Sequence, residues 1–202
     1  MKVIEQLLVN AGISPIAGVD EAGRGACAGP LVIASVVLND PFAAELATVR
    51  DSKEIPESKR DAVFDLIHSV AASVSVVIVP AAEVDSRGVH AANLDGMRRA
   101  VQGLSIEPAY VLTDGYAIEG LGVPNLAVWK GDQVVVSISA ASVIAKVTRD
   151  RIMRELDEEF PQYGFAGHKG YITAAHTKAL NEHGPCAEHR TSFANVAALI
   201  HK

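Results

Sequence analysis

The chain has 202 residues, of which 49% are hydrophobic and 21% charged, as in ordinary globular proteins. This size predicts one domain with a real core. The net charge of -6 argues against a protein that coats nucleic acid without specificity, because such binding depends on many lysine and arginine side chains. The charge is uneven, however. Residues 130–202 hold nine of the basic side chains, eight of the acidic ones and five of the seven histidines, so a phosphate-facing surface is expected in this third of the chain.

Membrane, secretory and disulfide classes are also disfavoured. No run approaches eighteen uncharged apolar residues, and Glu5 interrupts the short apolar patch near the start. Cys27 and Cys186 are too few and too far apart in sequence for a disulfide framework or a CxxC metal site. They predict free thiols in a reducing compartment, and therefore a cytoplasmic protein.

The N-terminal half predicts three strands and several helical segments. Residues 16–19 predict a short strand that ends on two acids, and the β-branched run 31–38 predicts a strand buried on both faces. Residues 39–61 predict a loop with one short helix. Ser58, near the end of this segment, is the expected N-cap of a helix to about residue 71. A third strand is expected at 73–79. Residues 81–103 then predict a helix in two pieces, divided at Gly88.

The C-terminal half predicts two more strands, at 109–113 and 124–129, and two helices, at 137–160 and 173–182. Strands cluster early, and helical crossovers are expected between the third, fourth and fifth strands. This order predicts a mixed sheet in an α/β layer fold. No repeat, low-complexity tract or linker divides the sequence.

Four acids occupy similar places in this pattern, because each lies at or just after the end of a predicted strand and close to a glycine: Asp20, Glu21, Asp114 and Asp132. If the strands are neighbours, the carboxylates converge, and shared protons or bound cations must offset their repulsion. Oxygen ligands select a hard ion such as Mg²⁺ or Mn²⁺, and two such ions can hydrolyse a phosphodiester. The alternative is that these are ordinary turn residues, since Asp before Gly is a common turn pair.

The glycine loop after the first acids has two interpretations. A dinucleotide fingerprint reads G-x-G-x-x-G and opens a helix. Here the glycines are Gly23, Gly25 and Gly29, the next element is a predicted strand, and carboxylates occupy the place of the pyrophosphate. The sequence therefore favours the other use of glycine, which lets backbone groups approach a polar substrate atom closely.

Seven stretches together resemble the type 2 ribonucleases H, the family of bacterial ribonuclease HII. In chain order they read GVDEAGRGACAGPLVIA, DSK (51–53), LTDG (112–115), KGD (130–132), SISAASVIAKVTRD (137–150), YGFAGHKGY (163–171) and HRTSF (189–193). The resemblance implies an α/β RNase H-like fold, with a five-stranded mixed sheet flanked by helices. It implies a single catalytic domain over residues 1–202, in which about 160–202 form a small C-terminal helical part that binds substrate.

The resemblance also implies an activity, namely cleavage of the RNA strand of RNA–DNA hybrids and incision 5′ of ribonucleotides embedded in duplex DNA. Two Mn²⁺ or Mg²⁺ ions would be held by Asp20, Glu21, Asp114 and Asp132, and the products would carry 3′-hydroxyl and 5′-phosphate ends. The implied biological setting is DNA replication and ribonucleotide excision repair. Two alternatives stay open: a related nuclease that acts on DNA structures, and a noncatalytic module that binds hybrids.

The same resemblance assigns substrate contacts. The backbone of Gly23, Arg24 and Gly25 would contact the ribose 2′-hydroxyl, the only local difference between RNA and DNA, together with Tyr171. Further candidate substrate contacts, several of them to phosphate, lie in the matching stretches: Lys53, Ser142, Lys146, His168, Lys169, His189 and Arg190. The histidine spacings fit no zinc signature. The C-terminal residues carry no sliding-clamp box, and a monomer without membrane association is expected.

Overall fold

The computed structural model describes residues 3–200, and a five-stranded mixed sheet lies at its centre. The strands are β1 (Ile16–Ala22), β2 (Leu31–Leu38), β3 (Ala71–Val79), β4 (Tyr110–Asp114) and β5 (Asn125–Val128). The helices are α1 (Val3–Asn10), α2 (Glu57–Val70), α3 (Ala81–Arg87), α4 (Val89–Gln102), α5 (Gly131–Val134), α6 (Val136–Glu159), α7 (Phe165–His168), α8 (Ala174–His183) and α9 (Ala194–Ile200), with a 3₁₀ helix at Ala44–Thr48.

The sheet order is β3-β2-β1-β4-β5. β2 runs antiparallel to both β1 and β3, whereas β1, β4 and β5 are mutually parallel. One face packs against α2 and α6, and the other against α3 and α4. All eight residues of β2 are buried, as its uninterrupted apolar sequence predicts. The predicted α/β class and five-stranded mixed sheet are confirmed.

Three local predictions are wrong. β1 does not end at Val19: it continues through both acids to Ala22, because these residues pair with Val32 to Ala34 of β2. Helix α2 is not capped by Ser58, since it begins at Glu57 after the extended Pro56, with no side-chain cap. No helix crosses between β4 and β5. A loop joins them, and the side-chain amide of Asn125 holds that loop by bonding both backbone groups of Ile118.

Helices α1, α5, α7 and α9 were not predicted, because segments this short show little periodicity. The first of them has a defined task. Glu5 of α1 is buried, and its carboxylate accepts hydrogen bonds from the backbone N–H groups of Val136 (2.9 Å) and Ser137 (3.0 Å). A carboxylate from elsewhere in the chain thus caps the N-terminus of α6, which has no side-chain cap of its own.

In the described part of the chain, none of the helices combines the length and the apolar character that crossing a membrane requires.

Candidate active site

The topology brings the four predicted acids to one edge of the sheet. Asp20 and Glu21 lie in β1, Asp114 is the last residue of β4, and Asp132 lies in α5, the next element after β5. Because these three strands are parallel neighbours, their carboxyl ends meet at the same edge. Asp20 and Asp132 are buried, whereas Glu21 and Asp114 are partly exposed.

The pKa values of these acids show that the groups act on one another. Burial raises the pKa of Asp20 well above its usual value, and the charges of Glu21 and Asp114 raise it further. Burial is also the largest cause that raises the pKa of Glu21 to about 7, against the lowering effect of Arg24. Burial, followed by the charge of Asp114, raises the pKa of Asp132 to about 6. The nearby positive charges of Arg24 and Lys53 act in the opposite direction but do not bring the pKa values of Glu21 and Asp132 back to the usual range.

The donor set fits divalent cations. Glu21 Oε2 is buried and has no hydrogen-bond partner among residues 3–200. A buried polar atom without a partner is rare, and it is expected where an oxygen binds a ligand. Asp20 and Asp114 each keep one oxygen in a 2.7 Å bond to a backbone N–H, of Glu21 and Gly131 respectively, which fixes their orientation.

In the same range, no three His, Cys, Asp or Glu side chains are arranged to hold one ion. Mg²⁺ usually takes only one or two carboxylates and completes its shell with waters and substrate phosphate. The site therefore fits ions that are shared with a substrate.

Lys53 is the cation nearest to the acids. Its ammonium lies 3.6 Å from Asp132 and 4.0 Å from Asp51. Burial alone would lower the pKa of Lys53, but the surrounding carboxylates, led by Asp51 and Asp132, raise it. The sequence analysis missed Asp51, although it lies in the quoted DSK stretch, and it missed Asn93 of α4, which is fully buried beside Glu21.

Next to the acids lies a cavity of about 430 Å³, here called the loop cavity. It brings together most of the predicted substrate contacts: Gly23, Arg24, Gly25, Lys53, Ser142, Lys146 and Tyr171, with Glu21, Ala22 and Ser52. Two of these residues are fixed by hydrogen bonds to other side chains. Ser142 Oγ lies 3.0 Å from Ser52 Oγ, and Lys146 bonds Asp150 at 2.6 Å. The exposed ring of Tyr171 forms part of the cavity wall.

The glycine loop contains backbone N–H groups without a partner in the described part of the chain. The carbonyls of Gly23 and Arg24 already accept bonds from Ala26 N–H and the Arg190 guanidinium, whereas the N–H groups of Arg24 and Gly25 have no partner within residues 3–200. Gly23 has a φ of +89°, and a Cβ there would overlap Arg149. A Cβ on Gly25 would meet no protein atom within 4 Å. The loop is thus rigid at Gly23 and open at Gly25.

A phosphate contact by Arg190 is contradicted, because this side chain is fully buried. Its guanidinium donates to the carbonyls of Gly29 and Arg24 instead. Burial and the neighbouring Arg149 lower the pKa of Arg190 to about 10.

Arg149 is equally buried and was missed. It donates to the carbonyls of Ala28, Pro30 and Lys169. The two arginines therefore bind the glycine loop to the C-terminal part of the chain.

His168 and Lys169 also lie outside the loop cavity. The His168 ring accepts the Gly170 N–H at Nδ1 and bonds the Tyr163 carbonyl through Nε2. Lys169 is buried, donates to the Ala166 carbonyl, and lies 3.6 Å from Glu57. Both side chains therefore make their contacts within the protein.

A pair of buried histidines also supports Tyr171. His189 accepts the Cys186 N–H at Nδ1, so its Nε2 must carry the proton and donate to His176 Nε2, 3.0 Å away. The other ring nitrogen of His176 then donates to the Tyr171 carbonyl at 2.9 Å. His189, predicted as a substrate contact, is 2% exposed and belongs to this hydrogen-bonded pair instead.

Comparison with known proteins agrees with this geometry. The family model described as "Ribonuclease HII" matches residues 17–196. A ribonuclease HII of Acidothermus cellulolyticus is 58% identical over 95% of this chain and 62% of its own length. One from a Parafrankia species is 57% identical over 96% of this chain and 81% of its own length.

Solved structures share the fold. The ribonuclease H2 of Pyrococcus horikoshii superposes with a TM-score of 0.79 at 26% identity, covering 91% of this chain and 96% of its own. A ribonuclease HII from Archaeoglobus fulgidus, solved in complex with PCNA, gives 0.78 at 25% identity and covers 88% and 94%. The Bst ribonuclease HIII, solved with Mn²⁺, gives 0.66 at 18% identity over 92% and 69%, which is a likeness of fold alone.

Proposed function

The chain belongs to the ribonuclease HII family, and from that premise we propose that it is a metal-dependent endoribonuclease acting on RNA–DNA hybrids and on ribonucleotides embedded in duplex DNA. One observation carries the proposal: four carboxylates meet at a sheet edge directly beside a glycine loop with free N–H donors. The carboxylates provide a place for the phosphate and its ions. The loop provides a place for the ribose.

The acids would hold the cations that bind the scissile phosphate. Asp20 and Asp114 would hold the ions, with Glu21 and Asp132 completing their shells. When bound, two Mg²⁺ or Mn²⁺ ions would activate the attacking water and stabilise the leaving 3′ oxygen. The raised pKa values of Glu21 and Asp132 fit this role, because a bound cation would add positive charge to that of Lys53 and Arg24. Lys53 then becomes available for a substrate phosphate. The products carry a 3′-hydroxyl and a 5′-phosphate.

The loop cavity selects the sugar. A 2′-hydroxyl oxygen can accept a hydrogen bond from the N–H of Arg24 or Gly25, whereas a deoxyribose offers nothing at that position. The ring of Tyr171 packs against the neighbouring sugar. Ser142 and Lys146 line the same cavity and contact phosphate. Arg190, His168 and Lys169 do not contact the substrate in this proposal. Their side chains bond backbone groups of the protein and stabilise the segments near the cavity.

The cellular setting extends the proposal. We expect a cytoplasmic monomer, built as a single catalytic domain, that removes ribonucleotides during DNA replication and repair. The prediction that the C-terminal residues bind no sliding clamp falls partly on residues 201–202, which lie outside the described residues, and it stays a prediction.

A duplex with one embedded ribonucleotide tests the function. The protein should cut it 5′ of the ribonucleotide with Mg²⁺ or Mn²⁺ and not with chelator. An all-DNA duplex should stay intact, and its cleavage would instead indicate a nuclease for DNA structures. Tight binding without cutting in any metal would indicate a noncatalytic binding module.

Asp114→Asn is the matched variant, since the amide oxygen can still accept the Gly131 N–H. Turnover should fall at least about 100-fold, because a charged ligand of the ions is lost, while the folded structure persists. Undiminished cutting by this variant would contradict the assignment of the acids.

A further inference from the structure

Trp129 is the only tryptophan in the chain, and it is 82% exposed. It follows β5 directly and precedes Lys130. Within residues 3–200 its indole makes no hydrogen bond, ring contact or cation contact. A large apolar ring left in solvent beside a cluster of functional acids suggests a binding surface.

Trp129 lies in a second cavity of about 530 Å³, here called the acid cavity. Asp114, Lys130 and Asp132 also line this cavity. The loop cavity and the acid cavity share three residues: Glu21, Arg24 and Lys53. The two cavities therefore adjoin and are together called the groove here: Tyr171 lines one cavity, Trp129 lines the other together with Asp114 and Asp132, and Glu21 lines both.

The backbone on both sides of Trp129 is fixed to the strand that carries Asp114. Before it, the carbonyl of Val128 accepts the Gly115 N–H at 3.1 Å. After it, Lys130 adopts a left-handed conformation with φ of +52°, and Gly131 N–H donates to Asp114 at 2.7 Å. A non-glycine residue in this conformation is costly and persists only where its surroundings hold it. The ring is thus attached to a rigid turn at the acids.

The chemistry of the groove fits a nucleic-acid strand. Aromatic side chains stack on bases with little regard to sequence, and lysines beside them contact the phosphates. Lys53 and Lys130 supply those positive charges. A strand whose ribose lies in the loop cavity and whose phosphate lies at the acids continues into the acid cavity.

We propose that Trp129 forms a further substrate subsite and stacks on the nucleotide immediately 5′ of the scissile phosphate. The direction along the strand depends on the proposed function, because incision 5′ of a ribonucleotide places the ribose on the 3′ side. Trp129 and Tyr171 then hold the strand on opposite sides of the bond that breaks.

Intrinsic fluorescence tests this directly, since all tryptophan emission comes from Trp129. The Asp114→Asn variant in Mg²⁺, which should bind the substrate without cutting it, is titrated with a duplex that contains one ribonucleotide. Emission should be quenched on binding. A duplex with an abasic site 5′ of the scissile phosphate should bind about tenfold more weakly and quench less, whereas an abasic site several nucleotides away should have no such effect.

Kinetics of three variants complete the test. Trp129→Ala should raise KM about tenfold with kcat within about threefold, and Trp129→Phe should recover most of the loss. Leu126→Ala removes an exposed apolar side chain of β5 that lies outside both cavities, and it should leave both constants unchanged.

The outcomes separate the two proposals. Absence of cutting by the wild type in any metal would overturn the proposed function, while quenching that depends on the 5′ base would still support the stacking subsite. Normal cutting with no quenching, or with Trp129→Ala indistinguishable from wild type, would overturn the subsite. Equal quenching by the 5′ abasic duplex would overturn it as well.

Discussion

The Nε2 atoms of His176 and His189 lie 3.0 Å apart, and only one of them can carry the proton. The Cys186 N–H, which points at His189 Nδ1, and the Tyr171 carbonyl, which lies at His176 Nδ1, determine which one it is. Both rings must therefore be neutral. A second proton would place two N–H groups against each other and break the connection to Tyr171.

This pair predicts a loss of stability in acid. Burial, then the charge of His176, lowers the pKa of His189 to about 4. The unfolded chain therefore binds more protons than the folded one between about pH 6.5 and pH 4, and the free energy of unfolding falls as the pH falls through this window. Urea unfolding at pH 7.5 and pH 5 should show a smaller difference for His189→Asn than for the wild type. The matched control is His68→Asn, which removes an exposed histidine. An unchanged difference in His189→Asn would contradict the neutral pair.

The acids predict a metal effect that grows with pH. Because the folded pKa of Glu21, about 7, lies above its unfolded value, the metal-free protein loses stability as the pH rises from about 4.5 to 7. Divalent ions should restore this loss. At 10 mM Mg²⁺ and a Kd on the order of 1 mM, the gain is about 1.4 kcal/mol, or roughly 2–4 °C in Tm at this size. Differential scanning fluorimetry at pH 5.5 and pH 8 measures it, with Glu21→Gln as the control expected to shift less. An equal Mg²⁺ shift at both pH values would argue against ions at this cluster.

Substitutions at two glycines of the loop should have different effects, one on substrate recognition and the other on stability. Gly25→Ala adds a methyl group that meets no protein atom, so the free energy of unfolding should stay within about 0.5 kcal/mol. The methyl narrows the loop cavity, and kcat/KM on a single-ribonucleotide duplex should fall at least about tenfold. Gly23→Ala places its methyl on Arg149 at a φ of +89°, and should cost about 1–3 kcal/mol of stability. Full activity in Gly25→Ala would show that the ribose lies elsewhere.

Replacement of the buried Arg190 by lysine is expected to destabilise the protein. Arg190→Lys leaves carbonyls of Gly29 and Arg24 without donors, since an ammonium cannot reproduce the fork of a guanidinium. The free energy of unfolding should fall by about 3 kcal/mol in urea unfolding. Arg154→Lys changes an exposed pair with Glu57 and should cost less than about 0.5 kcal/mol. Comparable losses in the two variants would refute the structural role of Arg190.

Much of the fold was predictable, because an uninterrupted apolar run in the sequence indicates a buried strand such as β2. The meeting of Asp20, Asp114 and Asp132 followed from strand ends and from the family resemblance. The role of Arg190 was not predictable, since it arises from contacts with residues about 160 positions earlier. A basic residue in a matching stretch looks the same whether it faces a phosphate or a carbonyl. Trp129 gave no signal in sequence either, because exposure of one aromatic residue depends on how β5 ends.

The hydrogen bonds of Arg190 also set an order for biosynthesis. All four acids lie before residue 133, but the glycine loop between Gly23 and Pro30 is held by the side chain of Arg190, about 160 positions after the loop. A ribosome-bound chain can form the sheet before Arg190 has emerged, since N-terminal parts fold first. Such a nascent chain would have the carboxylates without the anchored loop that is proposed to contact the ribose. The proposed ribose contacts would therefore become available only after residue 190 has been synthesised, later than the four acids.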